Sequence, residues 1–192
     1  KMRADIVALG GEIRFQQRVT DVLIDGGAVR GVTLASGEQL RAELYRQLLM
    51  NLSSGYFLYF QSSPEHPDWA PFLNSVFVLQ PNPDDTYLLA PLRGDGVYRI
   101  SGTRGTVKLL TFSTGRNMMG MSAEPGRNFD YFDADDLALG ADGTLEVILS
   151  AERPTGHKGN WWPLHREAEF ILVRQRSYDW GREQDARLAI ER

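Results

Sequence analysis

Two arginines two residues apart, following a pair of tryptophans, are the side chains of this sequence best suited to gripping a ligand. Asn160, Trp161 and Trp162 precede Arg174, Arg176, Tyr178, Asp179 and Trp180 in the last quarter of the chain. A strand over 170–176 alternates its side chains, so Arg174 and Arg176 share a face with Leu172 while Val173 and Gln175 take the other. Two guanidinium groups on one sheet face beside indole rings can hold a carboxylate or a carbohydrate-like ligand through bidentate hydrogen bonds and ring stacking. Asn160, Trp161, Arg174, Arg176 and Tyr178 are therefore the candidate ligand-binding residues, in a pocket at one end of a β-sandwich near Trp161, Arg174 and Tyr178. The same groups equally suit a structural Arg–Asp or Arg–aromatic network closing a sheet edge.

Other chemistry finds less support. His66, His157 and His165 are too scattered for the spacings of a zinc or iron site, so no metal ligands are assigned and each reads as a surface or loop residue. Asp84-Asp85 and Asp133, Asp135 and Asp136 are acidic clusters without the pattern of a calcium loop, and they read as solvated turns. No Gly-x-Ser-x-Gly elbow accompanies the serines, so no nucleophilic triad and no catalytic residue is assigned. Gly115 to Ser122 carries Met118, Met119 and Met121, adaptable side chains that could line a pocket, meet a partner or plug one end of the fold. The 114–130 region is the first candidate for mobility, because polar turn residues follow the methionines.

The elements that must position these residues are mostly strands. Short apolar or alternating runs over 75–79, 86–90, 97–101, 107–113, 145–149 and 170–176 are separated by Gly-, Pro- and Asp-rich turns, with a final short strand at 188–190. Strands at this spacing predict a mainly β protein, an antiparallel sandwich or jelly roll. Ile13 to Gln17, Val22 and Ile24 before Asp25-Gly26-Gly27, and Val29, Val32 and Leu34 after it predict a three-stranded meander over about residues 12–42, with Ser36-Gly37 as its second turn. From Ala42 the period changes. Leu44, Tyr45, Leu48, Leu49 and Leu52 fall on one helical face, Ser53-Ser54-Gly55 reads as an interruption or end, and 56–60 fits a buried helix or a strand. One or two helices thus lead into the sandwich.

Two resemblances divide the chain near Arg41-Ala42. Gly10-Gly11-Glu12-Ile13-Arg14, the run Val19 to Ile24, Val29 to Leu34 and Gly37 resemble the hairpin inserted in FAD-dependent oxidoreductases of the phytoene-desaturase and amine-oxidase type, over about a fifth of the chain. That resemblance implies FAD, yet the chain has no Gly-x-Gly-x-x-Gly turn between a strand and a helix to cradle a pyrophosphate. No cofactor is assigned from the residues, and FAD stays as the alternative the resemblance implies. Downstream, the runs 41–49, Glu65-His66-Pro67, 81–88, 98–102, 143–150, Gly159 to Leu164 and Leu172 to Gln175 together resemble DUF1214, a bacterial domain family of unknown function, over about 150 residues. The second resemblance implies a β-sandwich with a helical lead-in and no known reaction. The expected organisation is a meander fragment at 1–41 and a sandwich domain at 42–192.

Composition bounds the function classes. The 192 residues are 42% hydrophobic, enough for one substantial core, and a formal charge of −4 gives no basic footprint for nucleic acid or an anionic membrane. There is no cysteine, hence no disulfide or thiolate chemistry, and no apolar run is long enough to span a bilayer. The chain reads as soluble and cytoplasmic, with neither nucleic acid nor membrane as a partner. Three functions follow as expectations: a domain binding a small organic ligand, a fragment of an FAD-dependent oxidoreductase, or a structural and assembly module whose aromatic residues form a homo-oligomer interface. Whether the first is also an enzyme is left open.

Overall fold

A computed structural model describes residues 18–72, 82–117 and 126–192. The chain divides into two compact units, Lys1–Leu49 and Met50–Arg192.

In the first unit, strands β1 (Val19–Asp25) and β2 (Ala28–Leu34) form an antiparallel hairpin. Its turn places Gly26 at φ +57° and Gly27 at φ +77°. Two successive positive φ values match the right-handed twist of the flanking strands, and glycine reaches them without a Cβ clash. The expected first strand of the meander, 13–17, lies outside the described residues. The expected third strand is a helix instead: α1 spans Gly37–Tyr59 and begins where Gln39-Leu40 was read as a strand. Ser36 explains the difference. Its Oγ accepts from the Gln39 amide (3.2 Å) while Gln39 Oε1 accepts from the Ser36 amide (2.8 Å), a reciprocal capping box that starts a helix. Ser53-Ser54-Gly55 does not end α1, and the change of character at Arg41-Ala42 falls inside unbroken helix.

The second unit holds two sheets. The five-stranded sheet has the order β3-β4-β10-β6-β7, from β3 (Ala70–Phe72), β4 (Asp85–Pro91), β6 (Leu109–Arg116), β7 (Arg127–Asp133) and β10 (Phe170–Arg176). The four-stranded sheet has the order β11-β5-β8-β9, from β5 (Val97–Thr103), β8 (Thr144–Ser150), β9 (Asn160–Pro163) and β11 (Arg187–Glu191). Their alternating apolar residues form the core, in which Tyr98, Ile100, Leu110, Phe112, Val147, Leu149, Ile171 and Val173 are fully buried. The Tyr98 hydroxyl donates to the Pro64 carbonyl (3.0 Å) and accepts from the Arg93 amide (2.9 Å), so a buried polar group is satisfied and two loops are tied to the core. The architecture is thus mainly β and sandwich-like, as the strand spacing predicts. On the other face of the five-stranded sheet, Leu58 near the end of α1 packs with Phe72, Leu89 and Phe170.

Three strands were not legible: β3, β7 and β9. β9 pairs parallel with β8, Ile148 opposite Trp161 and Leu149 opposite Trp162, whereas the other paired strands of the two sheets are antiparallel. The expected strand at 75–79 and the methionines at 118–121 lie outside the described residues. The 114–130 region read as a polar, turn-rich loop contains the start of β7, paired with β6 from Thr111↔Asp133 to Arg116↔Arg127.

Candidate functional site

Alternation along β9 sends the two neighbouring tryptophans to different places. Trp162 is buried in the core, stacked on Phe132 (4.8 Å between centroids, 8° between planes) and tilted against Phe112 (4.9 Å). Trp161 points the other way, half-buried, into an open cleft of about 1050 Å³. Its walls are the 131–138 segment at the end of β7, the ends of β5 and β8, and the 157–161 turn entering β9.

The indole of Trp161 is fixed. Its Nε1 donates to Ser150 Oγ (3.0 Å), whose hydroxyl donates onward to the Glu152 carbonyl (2.8 Å). The Arg153 guanidinium lies 5.7 Å from the ring centroid and donates to the Gly159 carbonyl (3.0 Å). Holding an aromatic ring in one orientation removes the rotamer entropy that binding would otherwise cost.

Asn160 builds the cleft rather than facing its contents. Its Nδ2 donates to the carbonyls of Ala138 (2.9 Å) and Glu146 (2.8 Å), and its Oδ1 accepts from the Ala138 amide (2.9 Å). Both amide donors are therefore spent on pinning the 137–140 segment to β8. That segment follows a single 3₁₀ turn, Ala134–Asp136, capped by Asp133. A second clasp holds the turn from behind: buried Arg104 donates through Nε and Nη2 to Asp135 Oδ1 (2.9 and 2.8 Å) and through Nη1 to the Val107 carbonyl (2.8 Å). Asp133 and Asp135 thus have structural partners, and only Asp136 keeps the free carboxylate expected of a solvated turn. Asp136 and Lys158 line the cleft with no hydrogen-bond or ion-pair partner among the described residues, and the Tyr131 side chain is 66% exposed beside them. His157 also lines the cleft, its Nε2 held 2.9 Å from the Asn160 carbonyl oxygen.

Arg174 and Arg176 lie on β10, in the other sheet, and do not line this cleft. They close on Asp85, whose side chain is fully buried. Arg176 donates through Nε to Oδ1 (2.6 Å) and through Nη2 to Oδ2 (2.8 Å); Arg174 Nη2 (2.8 Å) and Asn82 Nδ2 (2.7 Å) share Oδ2. The register explains the meeting, since Arg176 stands opposite Asp85 and Arg174 opposite Tyr87, whose ring lies 5.7 Å under the Arg174 guanidinium. The hydrogen bonds from Arg176, seconded by Arg174, hold the Asp85 carboxyl below its usual range against the opposing effect of burial. Asp85 is therefore not the solvated turn residue its Pro-Asn-Pro-Asp-Asp context suggests. Tyr178 is exposed and does not line the cleft; after Asp85, its side chain is the next group that favours the charged form of Arg176, and its amide donates to Glu183 Oε2 (2.7 Å).

Of the five residues singled out by spacing, the structure brings Asn160 and Trp161 together and separates them from Arg174, Arg176 and Tyr178. Sequence reasoning missed Tyr131, Asp136, His157 and Lys158. The signal for His157 and Lys158 was their position just before Trp161; Tyr131 and Asp136 required knowing that β7 exists.

No family model matches the chain, and no curated protein matches it. Among solved structures, an uncharacterised protein from Burkholderia cenocepacia superimposes with a TM-score of 0.72 at 29% identity, over 82% of this chain and 44% of that one. The VPA0106 protein from Vibrio parahaemolyticus superimposes with a TM-score of 0.42 at 14% identity, over 83% of this chain and 47% of that one. The chain spans less than half the length of either. Among the described residues no helix is long and apolar enough to cross a membrane.

Proposed function

We propose that this chain binds a small polyhydroxylated, carbohydrate-like ligand in the cleft floored by Trp161. The observation that carries the reading is the immobilised, half-buried Trp161 ring in a cleft of about 1050 Å³ that also presents unpartnered polar groups. The volume is just above the roughly 300–1,000 Å³ of typical small-molecule sites. An indole face stacks on the C–H face of a sugar ring, while Asp136 accepts from hydroxyls and Lys158 and the Tyr131 hydroxyl donate to them. The lining mixes Asp133, Asp136 and Glu146 with Arg153 and Lys158. That near balance suits a neutral polyol better than a multiply charged anion. Arg176 spends its bidentate fork and Arg174 its Nη2 donor on Asp85, so the carboxylate-gripping version of the idea loses its two cations.

Membership of the DUF1214 family is part of this proposal, resting on the sequence motifs, and it carries no reaction with it. Native mass spectrometry of the purified protein tests the ligand reading. A co-purified or added mono- or oligosaccharide that leaves when Trp161 is replaced by Ala supports it; a co-purified flavin, or binding indifferent to W161A, overturns it.

A further inference from the structure

The Trp161 cleft is longer than one sugar ring. Trp161 on β9 stands at one end of it, while Ser101 and Thr103 on β5, two strands away in the order β5-β8-β9, line the other. Buried Ile100, Val147 and Trp162 face the core, so by alternation Trp161, Glu146, Ser101 and Thr103 share the opposite, outer face of the four-stranded sheet. The register fixes their separation. Trp161 lies opposite Ile148 on β8, and Ile148 opposite Arg99 on β5, so Ser101 is two strand spacings across and two residues along from Trp161. With strands about 4.8 Å apart and about 3.3 Å between successive residues, that offset is roughly 12 Å. Glu146, opposite Ser101 on the middle strand, lies between the two ends.

We propose that the ligand of this cleft is a linear, neutral oligosaccharide laid across β9, β8 and β5 with one sugar unit per strand; the inference rests on the carbohydrate reading of Trp161 and extends it from one ring to three. A pyranose unit adds about 5 Å to an extended chain, close to the spacing of neighbouring strands, so a chain whose first ring stacks on Trp161 brings its third ring to Ser101 and Thr103. The volume agrees. A single hexose, roughly 180 Å³ at close packing, leaves most of a cleft of about 1050 Å³ to water, whereas a trisaccharide takes up about half of it. The chemistry along the path suits the same occupant: Trp161 offers a flat face to the C–H side of a ring, Glu146 accepts from hydroxyls, and the Ser101 and Thr103 hydroxyls, without hydrogen-bond partners among the described residues, both donate and accept. Arg99 lies 3.7 Å from Glu146 and offsets its charge, so the middle of the path favours an uncharged chain. An extended peptide would instead pair along the outer edge of β9, and the cleft crosses the strands rather than following that edge.

NMR titration with glucose, galactose and mannose, and with their β-1,4-linked oligomers of two to five units, tests the length. In the series whose monosaccharide binds, affinity rises by about tenfold for each added unit up to three and then levels off. Ser101→Ile fills the β5 end with a side chain that has no hydroxyl; it lowers the trisaccharide to the affinity of the disaccharide and leaves the monosaccharide unchanged. W161A abolishes binding at every length. Affinity independent of length in the wild type overturns the proposal while the single-ring reading stands, and so does a trisaccharide gain that survives S101I. Absence of binding throughout overturns the carbohydrate reading itself and this extension with it. Because the length series uses the unmodified protein, its outcome does not depend on the folding of any variant.

Discussion

Trp161 and Trp162 are adjacent and chemically identical, yet replacing them must have opposite consequences. Trp162→Ala removes a ring stacked on Phe132 and tilted against Phe112 in the core and costs about 3–5 kcal/mol, measured by urea unfolding. Trp161→Ala leaves stability within about 1 kcal/mol and removes ligand binding instead. Equal destabilisation by both would mean that Trp161 is core. Asp85 allows a second test at this scale. Asp85→Ala leaves two neighbouring guanidinium groups without their carboxylate; because those side chains are 36% and 30% exposed, solvent softens the loss to about 2–3 kcal/mol. The Asp85 carboxyl is held below its unfolded value of 3.8, so its contribution is complete above that pH and is lost as pH falls through the lower folded value. Urea melts of wild type and D85A should therefore converge in acid below about pH 4, and a constant gap down to pH 2 would contradict the clasp. The sequence revealed that Arg174 and Arg176 share a face, since alternation alone decides that. It could not reveal that β4 delivers Asp85 to them, because the partner strand and its register are non-local.

At the scale of elements, the least expected feature was already written in four residues. Ser36-Gly37-Glu38-Gln39 is a capping-box sequence, and reading Ser36-Gly37 as a turn between strands obscured it. Ser36→Ala should lower helix stability by about 1 kcal/mol and speed amide exchange in the first turn of α1. Unchanged exchange there would argue against the cap. Strands with clean alternation, such as β5 and β8, were legible from sequence; β9 was not, because four residues after a Gly-rich loop carry no period. Gly102 marks another constraint that only the fold exposes. At φ +148° in β5 it lies against the Arg187 carbonyl of β11, with no room for a Cβ. Gly102→Ala should detach β11, seen as loss of exchange protection from Arg187 to Glu191. Retained protection would show that β11 shifts to accommodate the methyl group.

For the molecule as a whole, fold class was legible and sheet assignment was not. Turn spacing predicts a sandwich, but which strands share a sheet depends on contacts between distant residues, such as Trp162 with Phe112 and Phe132. The candidate site suffered for the same reason: side chains close in sequence, Trp161 and Arg174, went to different sheets, while Tyr131 came from a strand not foreseen and Asp136 from the 3₁₀ turn that follows it. A ligand held by these assembled parts binds only the folded state and therefore raises the melting temperature in proportion to the logarithm of its concentration. The most direct test is ligand-observed NMR of a panel of neutral sugars and sugar acids with wild type, W161A and R174A. Neutral sugars whose saturation transfer persists in R174A and disappears in W161A are the predicted result. Sugar-acid binding lost in R174A but retained in W161A, or no binding to the wild type, would contradict the assignment of the cleft.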